Sequence, residues 1–179
     1  MEVIHLVQKA VRGNDEAFEA LMKHESEKMY KTAFLYVRNK EDALDVVQET
    51  VCKAYTSIHQ LREPAYFSTW LIKILIRNAY QLLSKQKKVV LTGDDFLNQA
   101  AEKGTDSYAS ELDVTCAISR LEKNYQTAII LFYYHDFSIR RIADTMEKPE
   151  STVKTYLRRA RLELKNLLGG TDTYGKSVV

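Results

Sequence analysis

SIRRIADTMEKPESTVKTYLRRARLELKNLL, residues 138–168, is the stretch that decides the fold. Ser138 is a helix-capping residue type, because its hydroxyl can accept a bond from a first-turn N–H. The short helix it opens carries Ile139, Ile142, Ala143 and Met146 on one face. Glu147-Lys148-Pro149 then make a turn, with Pro149 suited to the first turn of the next helix. In that helix Val153, Leu157, Ala160 and Leu164 recur at spacings of 4, 3 and 4 and form one apolar stripe. Ala143 is small where the two helices would cross closely. Lys154, Arg158, Arg161 and Lys165 form a basic row about 100° round from the stripe. This is the pattern of a helix-turn-helix, whose second helix fits a DNA major groove.

Position along that second helix assigns the roles. Ser151, Thr152, Lys154, Thr155 and Arg158 lie near its start and approach base edges, while Arg159, Arg161 and Lys165 lie further along and meet phosphates. The competing reading is a solvated basic face on an ordinary helical hairpin. The cap, turn, small crossing residue and stripe together weigh against it.

Outward from this motif, the helical pattern runs from about Asp113 to Leu168, stops at Gly169-Gly170, and leaves TDTYGKSVV, 171–179, as a tail. A unit over 113–170 is therefore expected. Upstream, residues 89–112 hold five acids against one Lys and read as a flexible acidic linker. Residues 1–88 read as four helices: about 2–12, ending near Gly13; a second capped by Asn14 or Asp15 and running to about Val37; a third over about 41–59; and a long fourth from about Phe67 to Lys87. No run alternates as strands do. The expected fold is all-α, with two small helical domains joined by an acidic linker.

Composition narrows the function. The 179 residues suit one ordinary domain or two small ones, and 45% hydrophobic content suffices for a core. No apolar run approaches the ~18 residues of a membrane span, and MEVIHLVQKAVRGNDE lacks a signal-peptide pattern, so a cytoplasmic chain with no direct membrane insertion is expected. Cys52 and Cys116 are 64 residues apart and make no zinc spacing, the histidines are scattered, and no phosphate-binding glycine loop or nucleophile motif occurs. Neither an enzyme nor a metal or other cofactor is expected. The net charge of +2 conceals segregation: residues 41–49 hold four acids and no base, and 71–88 hold five bases and no acid. Such blocks point to a polyanion touched at two places and something basic elsewhere.

In the third helix Ala43, Val47, Val51, Ala54 and Ile58 are expected inward. Asp42, Asp45 and Glu49 fall on the reverse face with Gln48 at its flank. Only Glu49 has a base four residues on, Lys53. The residues leave two readings open, a solvated face and a dock for a basic protein surface. In the fourth helix Leu71, Leu75, Ala79, Leu82 and Leu83 are expected inward, with Trp70, Lys73, Arg77, Gln81, Lys85 and Lys88 on the outer side. An aromatic ring beside a basic stripe suits single-stranded nucleic acid, the cations tracking phosphate and the ring stacking on a base. The alternative is a core Trp beside a surface charge run. The loop before it, with Arg62, Tyr66 and Phe67, offers a cradle for an unstacked base.

DALDVVQETVCKAY (42–55), FSTWLIKILIRN (67–78) and TVKTYLRRARLELKNLL occur in this order and resemble the extracytoplasmic-function (ECF) group of the bacterial σ70 family. The resemblance spans nearly the whole chain. It implies a transcription initiation factor, an alternative σ factor that binds core RNA polymerase. It implies a σ2-like domain, 1–88, docking on the β′ clamp helices through Asp42, Asp45, Gln48 and Glu49. The same domain would melt the −10 element and capture a base with Arg62, Tyr66, Phe67, Trp70, Lys73, Arg77, Asn78 and Gln81. It implies a σ4-like domain, 113–170, reading the −35 element and touching the β flap, and a linker threading into the polymerase. It further implies an envelope or stress response and an anti-σ partner, often membrane-anchored. Where the family often has Asn and Asp seven and eleven residues after the Trp, this chain has Arg77 and Gln81, with Asn78 one residue later. Glu147 stands where the turn commonly has Gly, and Tyr156 replaces a common Arg. A stand-alone helix-turn-helix regulator, with 1–88 as a sensor or dimerisation domain, would explain the carboxy-terminal unit. It would leave the second basic-aromatic helix and the acidic face unexplained.

Overall fold

The computed structural model describes residues 2–92 and 109–168. Its elements are α1 Glu2–Val11, α2 Asp15–Val37, α3 Lys40–Ser57, 3₁₀ turns at Ile58–Gln60 and Pro64–Tyr66, α4 Phe67–Thr92, α5 Ala109–Arg120, α6 Lys123–Ile129 running into a π-helical turn Ile130–Tyr134, α7 Ile139–Met146 and α8 Glu150–Leu167. No strand occurs among the described residues. No helix among them is long and apolar enough to cross a membrane. The chain divides into two compact units, Met1–Gln99 and Ala100–Val179. Of the expected linker 89–112, both ends are helical, in α4 and α5. Residues 93–108 and the expected tail 171–179 lie outside the described residues.

In the first unit, capping sets the helix starts. Asn14 Oδ1 accepts from the Ala17 N–H at 2.7 Å, and Asn39 Oδ1 from the Asp42 N–H at 3.0 Å. Gly13, at φ +87°, supplies the left-handed turn between α1 and α2. Val7 and Ala10 of α1, Leu21, Met29 and Ala33 of α2, and Leu71, Leu75 and Ala79 of α4 meet in the core.

The inner face of α3 matches expectation at Ala43, Ala54 and Ile58 and differs by one register at the two valines between them. Ala43, Val46, Thr50, Ala54 and then Ile58 are buried, while Val47 and Val51 are half-buried. The reason is Thr50. Its hydroxyl donates back to the Val46 carbonyl at 2.6 Å, so a polar residue occupies a core position with its donor satisfied. On α4 the interior row is Leu71, Ile72, Leu75, Asn78 and Ala79, and Leu82 and Leu83 are half-buried.

The second unit buries Ala128 to Leu131 of the α6 run against Leu121, Phe137, Ile142, Val153, Leu157 and Ala160. Ser138 caps α7, its hydroxyl accepting from the Arg141 N–H at 3.2 Å. Glu147 ends α7 at φ 56°, ψ 46°, and the Lys148 N–H reaches the Ala143 carbonyl at 3.0 Å. Pro149 stands at the cap position of α8, one residue earlier than expected, and its carbonyl accepts from the Thr152 and Val153 N–H groups. Glu147 thus holds the left-handed geometry that favours glycine. Glu147→Gly is expected to be at least as stable as the parent, and Glu147→Val less stable by ~1–3 kcal/mol, because a β-branched residue tolerates positive φ worst. Thermal melting of the two variants checks this.

Candidate nucleic-acid interface

Three faces carry the expected site residues. The first is on α4 and the turn before it. Arg62 and Tyr66 are exposed, Tyr66 at 55%. Trp70 and Lys73 are half-buried, and Arg77 and Gln81 exposed. At 100° per residue Trp70, Arg77 and Gln81 fall within about 20° of one line, with Lys73 to one side. The Trp70 ring leans on Phe67, centroids 6.1 Å apart and planes at 36°. The indole is thus braced from below, with part of its surface open beside the cations.

Two expected DNA residues do not belong to this face. Phe67 is 2% exposed and plugs the unit's core. Its spacing to Leu71 and Leu75, four and four, is the signal that places it inward. Asn78 is 4% exposed. Its Oδ1 accepts from Lys53 Nζ at 2.6 Å, and its Nδ2 donates to Thr50 Oγ1 at 3.0 Å. Asn78 is a tie between α3 and α4, because a buried amide needs its partners inside the protein.

The second face is on α3. Asp45 and Gln48 are exposed on the outer surface. Asp42 and Glu49 sit at the edge toward α4, not on the reverse face: Asp42 Oδ2 accepts from Gln86 Nε2 at 3.0 Å, and Glu49 pairs with Lys53 at 3.1 Å. The outer surface also includes Glu41, Leu44 at 52% exposure and Tyr55 at 53%, which charge counting missed. Leu44, Gln48 and Tyr55 follow at four and seven residues, the spacing of one helical stripe. The Tyr55 hydroxyl donates to Asp15 Oδ1 at 3.0 Å, and this bond to a carboxylate holds the phenol above its ordinary pKa of 10.0.

The third face is on α8. Ser151, Lys154, Arg158, Arg161 and Lys165 are exposed. Thr152 and Thr155 are half-buried, and Thr155 Oγ1 donates to the Ser151 carbonyl at 3.0 Å. Arg161 Nε donates to the Leu157 carbonyl of its own helix at 3.2 Å. Arg159 turns away toward α6, where its Nη1 donates to the Tyr125 hydroxyl at 3.3 Å. Tyr156 packs against the same Tyr125, ring centroids 5.6 Å apart. Arg140, on the outward face of α7, is an exposed cation that the expected set lacks. Among the described residues no cluster of His, Cys, Asp or Glu could hold a metal ion.

Comparison with known proteins fits these faces. The family model for σ70 region 2 matches residues 21–89, which contain α3 and the α4 face. The model for σ70 region 4 matches residues 111–164, which contain α7, the turn and most of α8. The chain is 38% identical over 131 residues to the RNA polymerase sigma factor SigV of Bacillus subtilis, covering 73% of this chain and 78% of that protein. It is 32% identical over 176 residues to the ECF RNA polymerase sigma-E factor of Haemophilus influenzae, covering 90% of this chain and 92% of that one. The chain belongs to the ECF group of the σ70 family.

It is an alternative σ factor, a transcription initiation factor that serves core RNA polymerase in promoter selection. The fold agrees: the σ factor RpoE of Bartonella quintana, solved with the anti-σ factor NepR, superposes with a TM-score of 0.73 at 24% identity, over 84% of this chain and 96% of that one. In this σ factor the region 2 match includes both faces of the first unit, and the region 4 match includes most of α8.

Proposed function

We propose that the outer surface of α3 docks on a basic surface of core polymerase, the β′ clamp helices, with Asp45 and Gln48 central and Asp42 and Glu49 at the rim. The α4 face, Trp70, Lys73, Arg77 and Gln81, with Arg62 and Tyr66 beside it, holds the melted −10 strand. The start of α8, Ser151, Thr152, Lys154, Thr155 and Arg158, reads the −35 duplex, and Arg161 and Lys165 meet phosphates. The supporting observation is the order of the two family matches, each centred on a unit that exposes a polar working face.

In this scheme residues 1–88 form the σ2-like domain, 113–170 the σ4-like domain, and the acidic 89–112 the tether that threads into polymerase, with the β flap as a second contact. Each weak module raises the effective concentration of the other on one promoter. The Trp70 face offsets an unstacking cost of a few kcal/mol per flipped base. The chain performs no covalent step and needs no cofactor; the polymerase does the chemistry. An anti-σ factor, membrane-anchored, holds the protein inactive in the cytoplasm until an envelope stress releases it. The RpoE–NepR pair is the precedent for an anti-σ partner on this fold.

Run-off transcription with purified core polymerase and a promoter library tests the scheme. Discrete start sites that depend on the protein are expected. Tight operator binding as a solitary dimer, without start-site selection, would overturn it. Within that assay Arg158→Ala is expected to lose ~1–3 kcal/mol of −35 binding selectively at one base pair. Arg159→Ala should cost less and evenly across sequences, since its guanidinium is turned to Tyr125.

A further inference from the structure

Lys53 is the hub of a polar cluster between α3 and α4. Its Nζ lies 3.1 Å from Glu49 Oε1, 2.6 Å from Asn78 Oδ1 and 3.3 Å from Gln81 Oε1. An ammonium group has three donors and no acceptor, so three acceptors saturate it. The hydrogen-bond directions follow from that. Asn78 must turn its carbonyl to Lys53 and its NH₂ to Thr50 Oγ1, whose own hydrogen goes to the Val46 carbonyl. Gln81 must likewise turn Oε1 toward Lys53. That leaves Nε2, with two N–H donors, as the outward group of Gln81, on the same line as Trp70 and Arg77.

From this geometry we infer that Gln81 is a base-specificity residue that presents donors only, and that Lys53 is the positioning residue that fixes this polarity. The inference rests on the proposed placing of −10 DNA on the α4 face. A glutamine free to use both ends of its amide pairs bidentately with adenine, through N6 and N7. With Oε1 held, that mode is lost and the NH₂ favours a keto base, guanine through O6 or thymine through O4, because adenine and cytosine set an amino N–H beside their own acceptor and meet the second amide N–H donor against donor. The lock acts through charge as well as geometry: turning the amide over would put its NH₂ against the ammonium, donor against donor. A carboxylate at position 81 would offer acceptors only and select the amino bases, adenine through N6 or cytosine through N4.

The test is run-off transcription with core polymerase on templates randomised across the −10 element, each variant normalised to its own total output. The parent is expected to favour G or T at one position by about tenfold. Gln81→Glu should reverse the ranking at that position to A or C. Lys53→Met should admit adenine there, and Lys53→Arg, which keeps the charge and donors, should keep G or T. Lys53→Met also strips a donor from buried Asn78, so circular dichroism accompanies it; if that variant unfolds, exposed Gln81→Glu decides alone. Gln81→Glu output falling equally for all four bases overturns the inference, as does a folded Lys53→Met with the parental ranking. If the parent itself selects no promoters, the placing of DNA on α4 fails first, and that outcome is distinct from a parent that selects promoters while Gln81→Glu keeps its ranking.

Discussion

Reversing Asp45 and Glu49 to Lys together is expected to abolish binding to core polymerase while leaving the helical fold intact. Both carboxylates are exposed on α3, and Glu49 reaches toward the interior only through its pair with Lys53. Surface changes of this kind move stability by about 0.5 kcal/mol or less. The effect on docking is of another size. A unit-charge pair at 4 Å is worth ~1 kcal/mol in bulk water and ~4 kcal/mol at the dielectric of a protein surface. Reversal removes two attractions and installs two repulsions, so a loss of more than ~3 kcal/mol, over a hundredfold in affinity, is expected. Asp45 should carry the larger share, because Glu49 already has Lys53 beside it. Asp42→Asn should matter least, because the uncharged amide keeps an oxygen for Gln86. Fluorescence anisotropy with labelled protein and core enzyme, repeated at rising salt, measures each. Unchanged affinity with an unchanged circular dichroism spectrum would remove α3 from the docking surface.

The legible parts of the molecule are those set by short-range rules. Asn14, Ser138 and the Glu147–Pro149 turn are legible because a cap or a turn involves few neighbours. The α8 stripe is legible because Val153, Leu157, Ala160 and Leu164 are all apolar, and the first three are fully buried. The illegible parts are those where a polar residue is buried through a distant partner. Thr50 and Asn78 sit 28 residues apart and satisfy one another. Hydropathy alone therefore places Val47 and Val51 inward, and the family resemblance alone brings Asn78 to the DNA. The bond from Arg159 to the Tyr125 hydroxyl is illegible for the same reason, since Tyr125 lies 34 positions earlier. The acidic face of α3 is legible from charge, which carries no signal for the exposed Leu44 and Tyr55 within it. Chain segments that pair across tens of residues leave no local period to read.

Phe67→Ala is expected to destabilise the first unit by ~3–5 kcal/mol, the range for truncating a buried aromatic ring. Phe67 opens α4 and heads the buried row that continues through Leu71 and Leu75. It also braces Trp70 from below. Truncation removes the ring's transfer energy and leaves a void that the rigid α1–α4 packing closes only in part. Phe67→Leu keeps most of the volume and should lose about half as much. If Phe67 instead cradled an unstacked base, alanine would leave the melting temperature in place and reduce only binding to −10 strands. The two roles therefore separate cleanly in one pair of measurements. Denaturant unfolding should show the lower midpoint, and strand binding measured well below the melting temperature should fall only as far as the tilted Trp70 loses its support. Tyr66→Ala is the converse case. Its ring is exposed just before α4, so its loss should spare stability and weaken strand binding by ~1–3 kcal/mol, the worth of one base stacked on an aromatic ring.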